Sequence, residues 1–476
     1  MLHFAALFNL LDVRVKLPLN ALEIRAAASL AMVYVLRMLG LFMVMPVLAI
    51  YAADYPDYSA MLVGLAIGGY GLTQALLQIP MGMWSDSLGR KPVIVIGLAI
   101  FALGSIIAAL ADSMWTLVLG RIMQGAGAIA GAIMALAADV SREQQRPKVM
   151  AVIGIAIGFS FYLSLLVGPP IGQFGGLSAI FLTTAVLALC CIPIVALVVP
   201  TPTATAPSGD TLPRLADVKQ MLRNPVLMRL NVSVLFLHML ITVFFVTVPA
   251  KLLANDLQVE LHWIIYLPVL IASIIGMAVL MRVAKKSSIS NVIIVAVLLL
   301  ALAMAGLAVG PQSLPVIIVC CAVFFTGFNY LEANFPALVS NIAPAGRKGS
   351  AMGLYASFQF FGAFAGGVLS GLLTSLFSPD ATLIVMIGLC LMWTGVVKRV
   401  DASDVLKRYT IQFTEVHNRK QTTVLHDELS GLAGVAEVAV DPQVGVVYLK
   451  VHGQDFDIQR ARTIVKNTAA EKTVEE

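Results

Sequence analysis

Charge is what this chain has least of. Only 12% of its 476 residues are Asp, Glu, Lys or Arg, where soluble domains carry roughly 25%, and 59% are hydrophobic. Such a composition excludes a soluble enzyme and a nucleic-acid-binding protein, and it describes a polytopic membrane protein. The five cysteines, Cys190, Cys191, Cys320, Cys321 and Cys390, all fall in apolar runs. Without paired spacing they point to no metal centre and no redox couple, so they are read as small packing residues and no cofactor is expected. A phosphate-binding glycine loop and an Asp-Lys-Thr-Gly phosphorylation sequence are both missing, which removes an ATP-driven pump.

What is present is a series of apolar runs, each close to the roughly 20 residues needed to cross hydrocarbon. They lie at 26–51, 60–83, 92–111, 115–138, 148–169 and 178–199, and again at 226–252, 262–281, 291–309, 314–339, 349–377 and 381–397. Numbered in chain order they are spans 1 to 12. Residues 1–25 form an N-terminal segment too short in its apolar part to span, either an interfacial helix or an overextended start. Residues 200–225 join the halves by a Pro/Thr/Ala-rich linker and an amphipathic helix around Leu215, Val218, Met221 and Leu222, suited to a membrane surface. After a short linker at 398–407, residues 408–476 have a soluble composition and near balance of charge. Alternation at Tyr409, Ile411 and Phe413 and at Val447, Leu449 and Val451 marks half-buried strands. The expected order is βαββα, a ferredoxin-like α+β unit. Lacking Cys-x-x-Cys, it is not expected to bind metal through thiolates, and His417, His426 and His452 are read as surface residues.

The basic residues between spans are one-sided. With a cytoplasmic N-terminus, Arg90, Lys91, Arg142, Arg146, Lys148, Arg282, Lys285, Lys286, Arg347 and Lys348 all lie inside, and only Lys251 lies outside. The positive-inside rule therefore places both termini in the cytoplasm. The halves also echo each other: Leu36-Arg37-Met38-Leu39 before Pro46 recurs as Leu237-His238-Met239-Leu240 before Pro249, and Gly125 matches Gly327. Two related halves suit a transporter whose substrate site lies between them.

Between spans 2 and 3 stands Gly82-x-x-x-Asp86-x-x-Gly89-Arg90-Lys91. Gly82 allows close helix approach, Asp86 supplies an anion, Gly89 permits a tight turn, and the cations hold the loop on the cytoplasmic side. This pattern resembles the loop 2–3 motif of the major facilitator superfamily. Arg121-x-x-Gln124-Gly125-x-Gly127 in span 4 matches a second motif of that family, in which the arginine is implicated in proton coupling. The resemblance implies twelve helices in two pseudo-symmetric six-helix bundles, with an all-α membrane part, and alternating access. It also implies that Asp86, Arg90 and Asp139 form a charge cluster locking the inner face. Gly154-x-x-x-Gly158 and Gly168-Pro169-Pro170-Ile171-Gly172 are similar to the antiporter motif, with Ser164 and Gln173 replacing two of its glycines, and they suggest a bent, closely packed span 5.

Ionisable groups inside hydrocarbon are candidate sites, because they are costly there unless they serve a pathway or find partners. Arg121, Glu332 and His238 are the proton-coupling candidates; a permanent ion pair of Glu332 with a loop arginine and a merely structural histidine are the bland alternatives. Arg37, Tyr70, Gln74, Gln78, Gln124 and Asn329 are candidates to line the cavity, with Tyr70, Gln74 and Gln78 at i, i+4 and i+8 on one helix face. The expected activity is proton-coupled efflux of a small amphiphilic or cationic compound. A transporter-like sensor, or an uncoupled facilitator regulated through the tail, is the alternative. The expected partners are a small-molecule substrate, protons, the bilayer of a bacterial inner membrane, and a cytoplasmic ligand or partner of the tail, with no nucleic acid.

Overall fold

In the computed structural model the described residues are 19–142, 145–201, 215–344, 347–398, 407–412, 419–441, 445–452 and 456–470. Among them, twelve helices are long and apolar enough to cross a membrane. The first six are Ala21–Met43, Ala60–Ser87, Arg90–Ala109, Met114–Asp139, Lys148–Gly172 and Gly176–Val198. The second six are Pro225–Leu253, Val259–Ala284, Ile289–Val309, Leu314–Ile342, Lys348–Leu376 and Pro379–Val397. Polar residues at the ends stop the helices where hydrocarbon would stop. Ser59, Ser113, Asn224, Ser288 and Ser378 each accept a backbone N–H of the following first turn, satisfying donors that a helix start leaves without partners.

Span 1 departs furthest from the sequence expectation, at both ends, and span 2 runs on to Ser87, so that Gly82 and Asp86 are helical. Span 1 begins at Ala21, inside the segment assigned to 1–25, because Asn20 and Glu23 form a reciprocal capping box. It also ends at Met43 rather than running on to Tyr51: a turn passes Pro46 and a separate short helix covers Leu48–Tyr51. Span 4 is not one helix. It divides into Met114–Ala126 and Ala130–Asp139 around Gly127, where two glycines two residues apart weaken the helical preference.

Each half has its own apolar interior, one continuous cluster in the second half and two in the first. The closest approach between halves is span 2 against span 11. Glycines permit it: a methyl placed on Gly64 would strike the Gly367 carbonyl, on Gly68 the Phe364 carbonyl, and on Gly371 the Ala60 carbonyl. These contacts run from the ends remote from Arg90 to mid-span, where Ser357 Oγ donates to the Ala75 carbonyl at 3.0 Å. The molecule is therefore closed at the far face, opposite the basic one. Span 5 departs from expectation here. Gly168 and Gly172 pack tightly on Met43 and Tyr51, but a Cβ on Gly154 or Gly158 would meet nothing within 4 Å. Only the far end of this helix uses its glycines for close packing.

The linker helix Leu215–Arg223 lies along the basic face of the second half. Its Met221 is fully buried there, and Asp217 lies 3.4 Å from Arg347. The tail follows the expected βαββα order: β1 Lys407–Gln412, a helix Arg419–Ser430, β2 Val435–Asp441, β3 Val446–Val451 and a helix Ile458–Ala470. The sheet order is β1-β3-β2, with both pairings antiparallel. The strand expected beyond 412, the turn at 442–444, and His417 lie outside the described residues.

The glycine contact generates a test. Gly64→Val should keep span 11 from closing and lower stability by roughly 1–3 kcal/mol, the usual cost of overpacking. A cysteine at Thr374, in the far-face cavity of about 400 Å³, should then react faster with a water-soluble maleimide in a Cys190→Ser background. Unchanged labelling and melting temperature would contradict the contact.

Candidate functional site

On the basic face, the loop 2–3 motif assembles as its residues require. Gly89 has φ +92°, a conformation open to glycine but strained for a side chain. That turn sets Arg90 at the start of span 3. Its Nη1 lies 2.7 Å from Asp86 Oδ1 and 2.9 Å from Ser85 Oγ, and its Nε donates to Asp139 Oδ2 at 2.8 Å. The Arg90 and Asp139 side chains are buried, while that of Asp86 is 40% exposed. Gly82 is buried opposite Gly131. Lys91 Nζ donates to the Val199 carbonyl at 2.7 Å, so this cation closes the end of span 6, where helix carbonyls lack partners. The whole cluster ties spans 2, 3, 4 and 6 of the first half together.

A second ion pair on this face was not anticipated. Arg142 donates from Nε and Nη2 to Glu23 at 2.8 Å each, and its backbone N–H adds a third bond at 3.0 Å. Bonding to Glu23 raises the Arg142 pKa, so the pair stays charged. The signal available in the sequence was Asn20-x-x-Glu23, a capping pair hidden in a segment read as lying outside the membrane.

Within the first half, Arg37 and Arg121 are both wholly buried. Arg121 donates to the Ala66 carbonyl at 2.9 Å and to Gln124 Oε1 at 2.7 Å, and Gln124 passes a bond to Ser105 Oγ at 2.7 Å. Arg37 Nη2 donates to the Gly127 carbonyl at 3.1 Å, and the Tyr34 hydroxyl donates to the Ala130 carbonyl at 3.0 Å. Those two side chains answer carbonyls at the break in span 4, which hydrocarbon could not solvate. Tyr70, Gln74 and Gln78 form a chain: the Tyr70 hydroxyl donates to Gln74 Oε1 at 3.1 Å and Gln74 Nε2 to Gln78 Oε1 at 2.9 Å. Arg37, Tyr70, Gln74, Gln78 and Gln124, expected to line a cavity, are all buried within the first bundle in this conformation. Tyr70 touches the other half, edge-on to Phe360 at 6.1 Å. Two buried guanidiniums hold this group in place: Arg37 Nη2 bonds to Gln74 Oε1 and the Gly127 carbonyl and Arg121 to Gln124 Oε1, while Arg37 Nε and Nη1 are buried without a hydrogen-bond partner among the described residues.

The second half holds the titratable set. His238 of span 7, Glu332 of span 10 and Gln359 of span 11 converge. Gln359 Nε2 lies 2.7 Å from His238 Nε2 and 3.4 Å from Glu332 Oε1, and His238 Nε2 is 3.8 Å from Glu332 Oε2. His238 Nδ1 lies 3.2 Å from the Val234 carbonyl. Glu332 thus meets a histidine and an amide rather than a loop arginine, and its side chain remains 36% exposed. Gln359 was missed, since a lone glutamine among Phe and Gly belongs to no motif. Asn329 is partly exposed and donates to Ser273 Oγ at 3.0 Å. Phe161 of span 5 crosses to Phe245, Phe325 and Phe328 at 6.2–6.4 Å, and Phe328 also packs on His238 at 6.2 Å. One polar relay therefore sits beside an aromatic wall shared by both halves.

The two carboxylates on Arg90 should differ in weight. Asp139→Asn strips a buried cation of a buried partner and should cost roughly 3 kcal/mol, whereas Asp86→Asn, exposed in part, should cost under about 1 kcal/mol. Thermal unfolding of the two variants checks the order; equal melting temperatures would refute it.

The geometry has counterparts. The family model described as Major Facilitator Superfamily matches residues 30–367 and 232–412. The chain is 36% identical over 445 residues to the Inner membrane transport protein YajR of Escherichia coli (strain K12), covering 92% of this chain and 97% of that protein. It is 32% identical over 155 residues to the Tetracycline resistance protein, class D, of Salmonella ordonez, covering 32% of this chain and 38% of that protein. A crystal structure of a bacterial homologue of the human lysosomal transporter Spinster shares the fold with a TM-score of 0.65 at 14% identity, covering 82% of this chain and all of that one. Twelve spans, paired halves, the loop 2–3 motif and these likenesses together make this chain a member of the major facilitator superfamily, a multi-pass membrane transporter.

Proposed function

We propose that the chain is a proton-coupled antiporter of the bacterial inner membrane that exports a small amphiphilic or cationic compound by alternating access. The basic face is cytoplasmic on this reading, as are both termini. The His238–Gln359–Glu332 relay carries the proposal. With Nδ1 donating to the Val234 carbonyl, the neutral ring has its lone pair at Nε2, where the Gln359 amide donates. A proton arriving at Nε2 makes both facing nitrogens donors, so Gln359 must turn away. The imidazolium then answers the nearby Glu332 carboxylate. Proton occupancy is thereby coupled to a side-chain rearrangement on span 11, the helix that also closes the far face against span 2.

The substrate has a place beside this relay, against Phe161, Phe325 and Phe328. The aromatic wall suits an amphiphile, and the Glu332 carboxylate, ten residues inside the end of span 10, offers an anion to a cationic group. Proton and cation would compete for it, which is the minimum requirement of exchange. In the first half, Arg37 and Arg121 keep a constant charge and hold the broken span 4 in shape. The cluster of Asp86, Arg90 and Asp139, with Gly82 and Gly89 shaping it, holds the basic ends of spans 2, 3 and 4 together as the first half's side of the inner lock.

Proteoliposomes with an internal pH dye, challenged with tetraphenylphosphonium and ethidium, test the coupling. Substrate-dependent proton movement should fall about tenfold or more in Glu332→Gln, as expected for loss of a group used in the turnover step. Movement surviving in that variant would overturn the assignment of Glu332. No flux with any compound, from folded protein that still binds ligand, would favour the sensor or uncoupled reading.

A further inference from the structure

Outside the transport site, the tail presents a sheet face with an unexpected burial. Side chains alternate between faces along a strand. From β3, Val447, Leu449 and Val451 pack with Leu425, Leu429, Ala461 and Val465 beneath the two tail helices. Val446, Tyr448 and Lys450 take the opposite face, which an α+β unit with helices on one side leaves to water. Here they are buried, at 3%, 8% and 6% exposure. Lys450 shows where that face leads. Its Nζ is 3.2 Å from Glu437 of β2, its ladder neighbour, and donates to the Ile342 carbonyl at 2.9 Å.

Ile342 is the last residue of span 10. Its carbonyl is one of those a helix end leaves without a partner, and a cation there also meets the negative end of the helix dipole. Ten residues earlier, about 15 Å along the axis at 1.5 Å per residue, the same helix carries Glu332. Between them lies Pro336, four residues after Glu332. Proline has no N–H, so the Glu332 carbonyl loses its helical partner and the helix can bend at that point. Residues 336–342 are then a lever hung from the proton site. Beyond its tip, Arg347 bonds to Gln220 and lies near Asp217 of the linker helix, and Ser350 Oγ is 3.3 Å from Asp217. The chain is anchored just after the lever, so a bend at Pro336 is where its angle can change.

We propose that the helix-free face of the tail sheet is a docking surface for the cytoplasmic end of span 10 in the same chain, and that docking holds the lever below Pro336 and so governs access to Glu332. The docking stands on the contact itself; its effect on transport rests on the reading of Glu332 as proton carrier. A ligand or protein that takes this face would release the lever, so the tail's partner and span 10 compete for one surface.

The test uses the full-length protein in a Cys190→Ser background, the other cysteines being buried. Spin labels at Glu428→Cys and Lys286→Cys should give a narrow distance distribution, which broadens when Lys450→Ala is added and stays narrow with Lys450→Arg. A distribution already broad in the parent would overturn docking. Carbodiimide modification of Glu332, followed by mass spectrometry, reads access without needing a substrate. Its rate should change by about threefold or more in Lys450→Ala, the scale of an energetic coupling between distant sites, and remain near the parent's in Lys450→Arg. Equal rates in docked and undocked protein would overturn the control of Glu332. Substrate-dependent proton movement that survives in Glu332→Gln would remove the carrier reading, while the distances would still decide docking.

Discussion

Hydrocarbon offers a charge or a free carbonyl nothing to bond to, so each polar group carried into the membrane must be answered by the protein itself. Most of the organisation of this molecule follows from that constraint. Span 4 can break at Gly127 because Arg37 and Tyr34 reach the carbonyls around the break. Arg121 can be buried because Ala66 and Gln124 accept from it and Ser105 supports Gln124. At the helix ends the same need is met by Lys91 on Val199 and by Lys450 on Ile342. What looks like a set of separate motifs is one accounting of donors and acceptors.

The two halves meet the requirement with different chemistry. At matching places in the repeat, the first half has Arg37 and the second His238. A guanidinium stays protonated and fixes its surroundings, whereas an imidazole changes its hydrogen-bonding pattern with each proton. The first half therefore surrounds permanent charges with fixed acceptors, and the second sets an imidazole beside an amide and a carboxylate. Gln359 brings that group of contacts onto span 11, the helix that packs against span 2.

The span pattern was legible because hydropathy reports directly on the solvent each segment meets. The tail was legible for a similar reason: alternation in β3 and the spacing of its neighbours leave few other arrangements. The loop 2–3 motif also announced its own geometry, since Gly89, Arg90 and Asp86 act over a few residues. The interior of the first half was harder. Tyr70, Gln74 and Gln78 share a helix face, but whether that face meets a cavity or a buried arginine depends on spans far away in sequence. Gly127 packs closely on Gly97 and also marks a helix break, which the sequence does not show because the compensating side chains come from span 1. Glu23 showed a capping pair with Asn20, but its ion pair with Arg142, like the contact of Gln359 with Glu332, depends on a partner more than twenty residues distant.

The far face is closed, and the basic face of the first half is held together, by unlike materials. At the far face, spans 2 and 11 meet through glycines and carbonyl oxygens, a contact with no net charge and hardly any side chain. At the basic face the cohesion comes from Arg90, Asp86, Asp139, Arg142 and Glu23. Dissolved ions weaken exposed charge pairs and leave apolar backbone packing almost untouched. Ionic strength therefore reaches only the exposed members of the basic-face pairs, Asp86 and Arg142, and leaves the seam between the halves at the far face as it is.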